Sequence, residues 1–252
     1  MTWADPIESD KHYWHRYSGF YRRRLDALGP VSTILEYGVF KGASIRWLRE
    51  IYPAAQIFGI DIVPQQLDWP NGPGITYRQC DQGDRDSVAR LVRELSGPFD
   101  LVIEDGSQTP RHQAASLAET FPAIRPGGLY ILEDLHTSHP THPIFRETCA
   151  PGTLTSLHLL LRIEQLQAQG RDLAASEAAA FARLTAGMFT TQDVVRLAAL
   201  TQDVELYKRA SLPLACYACG TADFDLPTML CACGAQVDIL TTDSLTAALV
   251  RR

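Results

Sequence analysis

Short apolar runs of seven or eight residues recur through the first half of the chain, each closing on a carboxylate. VSTILEYG (31–38), QIFGIDI (56–62), FDLVIEDG (99–106) and GLYILED (128–134) read as buried strands, with ITYRQCD (75–81) a weaker one. Helical patterns fill the gaps at 43–52, 84–96 and 111–124, and 12–28 reads as a helix ahead of the first strand. Strands alternating with helices of this length predict an α/β, Rossmann-like fold with a mostly parallel sheet covered by helices on both faces. From about residue 153 the pattern becomes Ala/Leu/Gln-rich, and LHLLLRIEQLQAQG and ASEAAAFARLTAGMF predict helices packed against that sheet. DVELYKRASLPLA (203–215) is the candidate for one or two closing strands.

Parallel sheets bind ligands beyond the carboxyl ends of their strands. Those ends carry Glu36, Asp61, Asp81, Asp105, Glu133 and Asp134. Glu133 and Asp134 are adjacent, and two charges about 4 Å apart repel by roughly 4 kcal/mol at an effective dielectric near 20. If Asp105 leaves the neighbouring strand beside them, three carboxylates converge. An oxygen-only set of that kind suits Mg²⁺ or Mn²⁺. The competing reading is that Asp105 and Asp134 cap the segments that follow them.

The first strand-to-helix turn is EYGVFKGAS (36–44). A dinucleotide fingerprint of the form G-x-G-x-x-G fails at Phe40 and at Ala43, which disfavours a pyrophosphate ligand. What remains is E-x-G-x-x-x-G, with Gly38 and Gly42. It is similar to motif I of class I S-adenosylmethionine-dependent methyltransferases with the middle glycine lost, although a plain strand-to-helix turn reads the same way. Acidic residues around the turn suit a sulfonium and an ammonium. Asp61, ending the second strand, stands where an acid accepts hydrogen bonds from ribose hydroxyls. Asp81 resembles the family position that contacts the adenine amino group; its alternative is the N-cap of the 84–96 helix.

Four stretches carry a more specific likeness: SDKHYWHRYSGFYRRRL, ILEYGVFKGASIRWLREIYPAAQIFGIDI, FDLVIEDGSQTPRHQ and FPAIRPGGLYILEDLHTS. Over roughly residues 8–145 the chain resembles the metal-dependent sugar O-methyltransferases of macrolide biosynthesis, the mycinamicin and macrocin type. That resemblance implies Asp105, Glu133 and Asp134 as Mg²⁺ ligands. It implies a methyl-donor site at Glu36, Gly38, Gly42, Asp61 and Asp81, with Asp105 beside it. It also implies methyl transfer to a sugar hydroxyl of a glycosylated natural product in antibiotic biosynthesis, and an oligomeric assembly. Relatives commonly read D-G-S-H, with that histidine the proposed base; here Gln108 takes its place and cannot accept a proton. His112 and His136 are the replacements within reach. Residues 10–17 resemble a mobile lid in which His12, His15 and Tyr17 would close on the cleft. The alternative is an amphipathic helix burying Tyr13, Trp14 and Phe20.

The remaining chemistry is in cysteine and histidine. Cys216 and Cys219 form C-x₂-C, Cys231 and Cys233 form C-x-C, and each pair is followed by glycine. The four predict a structural Zn²⁺ knuckle, against reduced structural thiols or a redox pair; Cys80 and Cys149 are isolated. His136, His139 and His142 have the spacing of a second metal site, but two prolines make that run a loop. These readings divide the chain into a helical lid (1–30), a methyltransferase domain (31–214) and a cysteine-rich segment (215–252). The 252 residues carry a net charge of −6, which gives no basic footprint for nucleic acid; YRRRL (21–25) reads as a solvated helix face. MTWADPIESD has no apolar core of a signal peptide, and no run of eighteen apolar residues exists. Six cysteines without an export signal then predict reduced thiols and a cytoplasmic setting. A catechol-like phenolic acceptor and a degenerate, non-catalytic binding module are the alternative functions.

Overall fold

The computed structural model describes residues 3–237 and 244–252. Among these the elements run α1 (Asp10–Tyr13), α2 (Ser18–Leu28), β1 (Thr33–Tyr37), α3 (Ala43–Ile51), β2 (Gln56–Asp61) and β3 (Ile75–Gln79). Then come α4 (Arg85–Glu94), β4 (Phe99–Glu104), α5 (Pro110–Thr120) and β5 (Ile124–Leu132). The chain continues through α6 (Pro143–Thr148), α7 (Ser156–Ala168), α8 (Ala175–Arg183), α9 (Thr191–Leu200), β6 (Thr201–Lys208), β7 (Phe224–Asp225), β8 (Leu230–Cys231) and β9 (Leu245–Arg251). Short 3₁₀ turns occupy Phe121–Ala123 and Leu135–Ser138.

Seven strands form one sheet in the order β3-β2-β1-β4-β5-β9-β6. The five from β3 to β5 are mutually parallel, while β9 runs antiparallel to both its neighbours. The side-chain alternation of a strand feeds two apolar layers. Leu35, Val102, Tyr130 and Leu132 join the layer beneath α4, α5, α7 and α9. Ile34, Ile57, Leu101, Ile103 and Ile131 join the layer beneath α2 and α3. The predicted α/β architecture is therefore the observed one.

Three details differ from the sequence reading. The helix expected over 12–28 is broken after Tyr13, and Arg16 turns the chain at φ 58° before α2 begins. The turn is held from outside: Arg16 Nη1 donates to Leu212 O at 3.0 Å, and Tyr207 Oη donates to Arg16 O at 3.2 Å. The helix expected over 111–124 ends at Thr120, because Pro122 cannot continue the hydrogen-bond ladder and β5 already starts at Ile124. Of the 203–215 run only the part through Lys208 is strand; its partner in closing the sheet is β9. The segment LTAALVR has helix-favouring composition, yet it pairs on both sides and buries Ala247, Ala248 and Leu249.

α2 lies along the β6 side of the sheet, where Arg23 pairs with Glu205 at 3.0 Å and Arg24 with Asp203 at 2.8 Å. The arginines of YRRRL thus dress an edge strand with charge, one of the ways proteins discourage edge-to-edge association.

Candidate active site at the strand exits

The carboxyl ends of β1, β2 and β4 open into a cleft of about 710 Å³ lined by Gly38, Asp61, Asp81, Asp105, Gln108 and His112, together with Lys11 and Gln82. Backbone bonds stitch the strand exits together. Gly38 N donates to Ile60 O at 2.8 Å, Asp105 N to Tyr37 O at 3.0 Å, and Glu133 N to Glu104 O at 2.9 Å. Neighbouring exits therefore carry their acids side by side.

Gly38 adopts φ 85°, and a Cβ there would lie 2.0 Å from the Asp105 carbonyl oxygen. Only glycine lets the β1 turn pass so close to β4. Phe40 stands where the methyltransferase pattern has its middle glycine; it adopts a positive φ, 50°, and is 80% exposed. Asp61 anchors the loop: its Oδ2 accepts from Val39 N at 2.9 Å and its Oδ1 from Val63 N at 3.2 Å. Oδ2 also accepts from Phe40 N at 3.4 Å, so it is Oδ1 that keeps a second lone pair for a ligand hydroxyl.

Asp81 does not cap the following helix. Asp84 does, accepting from Asp86 N at 3.1 Å, while Asp81 turns back toward the cleft and accepts from Gly83 N at 2.7 Å. Gln82, next to it, donates to Glu104 Oε1 at 2.7 Å and accepts from Ser107 N at 3.1 Å.

Below the cleft, Glu36 is fully buried and neither of its oxygens has a hydrogen-bond partner. Burial pushes its carboxyl up to about 7, against the pull of the Lys11 ammonium. Glu104 is also raised to about 7 by burial, opposed by the Gln82 amide.

The three carboxylates marked by the sequence meet a cation supplied by the chain. Lys11, 1% exposed, sends its ammonium between them, pairing with Asp105 and lying 2.9 Å from Glu133 Oε1. Tyr21 Oη donates to the same Glu133 oxygen, and buried Tyr17 sits in the field of all three acids. Burial raises the carboxyl of Glu133 to about 8 and that of Asp134 well above the carboxylate range, with Lys11 opposing in both cases.

Asp134 takes the left-handed conformation, φ 52°, at the start of the 3₁₀ turn, yet its side chain makes no cap bond and its Oδ1 is buried without a partner. Asp105 likewise precedes the α5 cap position, which belongs to Thr109. Capping therefore accounts for neither residue. In the lysine-filled arrangement the three acids do not gather their oxygens within the span of one ion. Among the described residues only the four cysteines do so, with sulfurs all within 4.8 Å of one another.

The two base candidates lie at different ends. His112 lines the cleft at the Asp81 end, its Nδ1 2.6 Å from Ser107 Oγ and its Nε2 against Gly83. His136 lies beyond the carboxylates, with Nδ1 3.7 Å from Asp134 Oδ1 and its ring edge-on to His142 at 5.2 Å. Burial, with His142 and His15 nearby, depresses its pKa to about 3, so it is a neutral imidazole. Among the described residues His136, His139 and His142 form no metal-holding group: His142 caps α6 and His139 bonds Thr141 at 2.7 Å. In the expected lid, His12 bonds Ser18 at 2.8 Å, and His15 bonds Ser244 at 2.8 Å. Tyr13 is half-buried, whereas Trp14, Tyr17 and Phe20 are buried. Sequence reasoning misses Lys11 and Tyr21, although Lys11 is one of only three lysines beside twenty arginines. A lone compact ammonium in an arginine-rich chain is the available signal.

Comparisons with known proteins bear on the fold that carries this cleft. Residues 21–139 match the family model described as FtsJ-like methyltransferase. The chain is 35% identical to mycinamicin VI 2''-O-methyltransferase of Micromonospora griseorubida over 137 residues, 50% of this chain and 33% of that one. It is 35% identical to demethylmacrocin O-methyltransferase of Streptomyces fradiae over 146 residues, 54% and 36% of the two chains. Against the solved MycE methyltransferase of the mycinamycin pathway in complex with Mg, SAH and mycinamycin VI, the TM-score is 0.60 at 26% identity, covering 81% of this chain and 51% of that one. These matches span well under two thirds of the relatives' length. The seven-stranded, mostly parallel sheet is a Rossmann-like methyltransferase fold, and residues 21–139 carry the similarity to FtsJ-like, S-adenosylmethionine-dependent methyltransferases.

Proposed function

We propose that the chain is an O-methyltransferase that moves the methyl group of S-adenosylmethionine to a sugar hydroxyl of a glycosylated small molecule, with a divalent cation, Mg²⁺ or Mn²⁺, as cofactor. The observation that carries this reading is the set Asp105, Glu133 and Asp134 at adjoining strand exits, compensated by a buried ammonium and with one oxygen of Asp134 unpartnered. The donor chemistry fits a hard cation: oxygen ligands only, all from carboxylates. The relatives' names, sugar O-methyltransferases of macrolide pathways, support the acceptor class, and the net charge of −6 does not favour an RNA acceptor.

In this reading Asp61 accepts from the ribose hydroxyls and Asp81 from the adenine amino group. Glu36, Gly38, Gly42 and Asp105 frame the methionine end, where the orphaned Glu36 carboxylate meets the donor's ammonium. His112 then lies by the adenine, remote from the transferring methyl. His136, next to Asp134, is the group placed to take the acceptor's proton, a weak base while it stays buried; general-base catalysis is worth roughly 10²–10⁴-fold in rate. A bound divalent cation would make the acceptor hydroxyl more acidic and fix its approach to the sulfonium. Gln108 at the cleft mouth orients by hydrogen bonding only. The replacement of histidine there is the one observation that favours the non-catalytic alternative.

Calorimetry with S-adenosylhomocysteine, with and without Mg²⁺, tests the assignment. Wild type should bind Mg²⁺ where Asp134→Ala does not; equal Mg²⁺ binding by both would remove the metal claim, and absent binding of S-adenosylhomocysteine would remove the donor claim. Turnover of no glycoside or catechol in a panel, despite donor binding, would favour the non-catalytic module.

A further inference from the structure

The four cysteines stand far from the strand exits in sequence, but they touch the segment that delivers Lys11. Cys216 and Cys231 are buried with Trp14 and Val237 in a separate small apolar cluster. Trp14, 5% exposed, packs edge-on to Tyr217 with ring centroids 4.7 Å apart, and the Arg209 guanidinium lies 4.9 Å above its ring. Backbone bonds run in parallel with these contacts: Leu214 N donates to Tyr13 O at 2.7 Å, and Arg16 Nη1 to Leu212 O at 3.0 Å.

α1 spans four residues. A single helical turn has no stability of its own, so the position of Lys11 depends on what holds Tyr13 and Trp14 as well as on its own ion pairs. Tyr13 and Trp14 are held by the segment 209–217, which leads into a hairpin of two-residue strands, β7 and β8, around a cluster of four buried residues. A core of that size needs a staple.

The sulfurs supply the geometry of one. Cys216 and Cys233 are 3.6 Å apart and Cys219 and Cys231 are 3.4 Å apart, far longer than the roughly 2.05 Å of a disulfide. A tetrahedral zinc with Zn–S near 2.3 Å has sulfur–sulfur edges of about 3.8 Å. Each pair also closes a tight turn: Gly220 N donates to Cys216 O at 2.8 Å with Gly220 at φ 74°, and Gly234 N to Cys231 O at 2.8 Å with Gly234 at φ 86°. Ala218 N points at Cys216 Sγ at 3.4 Å, a backbone donor directed onto a sulfur.

We propose that Cys216, Cys219, Cys231 and Cys233 bind one Zn²⁺, and that this ion fastens the Trp14 anchor and so seats Lys11 among the carboxylates. The zinc is then a remote clasp on the segment bordering the cleft, independent of the methyl donor.

The test uses the full chain purified under reducing conditions. Zinc content is measured by mass spectrometry, and amide exchange is followed over residues 10–17, with 33–37 in β1 as the internal reference. We expect one zinc per chain, lost in Cys219→Ser and Cys233→Ser and on treatment with a strong chelator. With its loss, exchange over 10–17 should rise about tenfold or more while β1 is unchanged, as for a local opening. Less than a tenth of an equivalent of zinc would overturn the site. Zinc loss that leaves 10–17 protected, or that exposes β1 equally, would overturn the clasp. No outcome depends on donor or acceptor binding, so it can fail without the methyltransferase reading failing.

Discussion

The ammonium of Lys11 lies 2.9 Å from Glu133 Oε1, with both side chains 1% exposed. Removing one partner of a buried ion pair strands the other, at a cost of about 3–5 kcal/mol. Lys11→Met should therefore lower the melting temperature of the metal-free protein by on the order of 10 °C. Millimolar Mg²⁺ should return more of that loss in the variant than it adds to wild type. Scanning fluorimetry of both proteins with and without Mg²⁺ decides; an unchanged melting temperature in Lys11→Met would show that the ammonium is not compensating these acids.

Two glycines with positive φ separate conformational strain from steric contact. Gly29, φ 77°, has nothing within 4 Å of the point where a Cβ would stand, whereas at Gly38 the Asp105 carbonyl is 2.0 Å from that point. Gly29→Ala should cost about 2 kcal/mol, from a backbone at φ 77°, ψ −151° that is essentially confined to glycine. Gly38→Ala should cost about 3 kcal/mol or more and weaken S-adenosylhomocysteine binding as well. Equal urea midpoints for the two variants would contradict the close passage of β1 against β4.

Among the histidines, the expected split is kinetic. On a glycoside that supports turnover, His136→Ala should lose about a hundredfold or more in kcat. His112→Ala should keep kcat within a few-fold and raise KM for the donor. The reverse pattern would move the base to the Ser107–His112 pair, whose Oγ and Nδ1 are 2.6 Å apart.

Glu36 gives the pH test. Burial raises its carboxyl to about 7 in the folded chain, from an ordinary value of 4.5. Between those two values the folded chain holds a proton that the unfolded chain has released. Stability from this group is therefore complete below about 4.5 and declines as pH rises to about 7, by about 3 kcal/mol in all. Glu36→Gln should flatten this part of the profile, so its advantage over wild type should grow from pH 4.5 to pH 7 in urea titrations. A parallel offset at all pH values would place the proton elsewhere.

Much of this architecture is legible in the sequence because the parallel core uses local signals. Each strand is a short apolar run that ends on its acid, so counting along the chain is enough to bring Asp61, Asp81 and Asp105 to the cleft. Legibility fails where a distant residue decides the conformation. Arg16 breaks the first helix because Leu212 and Tyr207 hold its turn. β9 reads as helix by composition and becomes strand only because β5 and β6 offer edges on both sides. The role of Lys11 is hidden for the same reason, since nothing local to SDKHYW says that two strand exits converge on it. The division between His112 and His136 is likewise a matter of which end of the cleft each one occupies, which spacing along the chain does not encode.

The interleaving of β9 between β5 and β6 has a consequence for biosynthesis. When β6 emerges from the ribosome the slot between it and β5 must stay open, because residues 245–251 have yet to be made. Until they arrive, the nascent chain presents two naked hydrogen-bonding margins, the kind of surface on which chains stick to one another. The hairpin carrying the four cysteines is translated within that interval. By drawing 216 and 233 together it shortens the tether that carries β9 back to its slot, which reduces the entropy lost on closure.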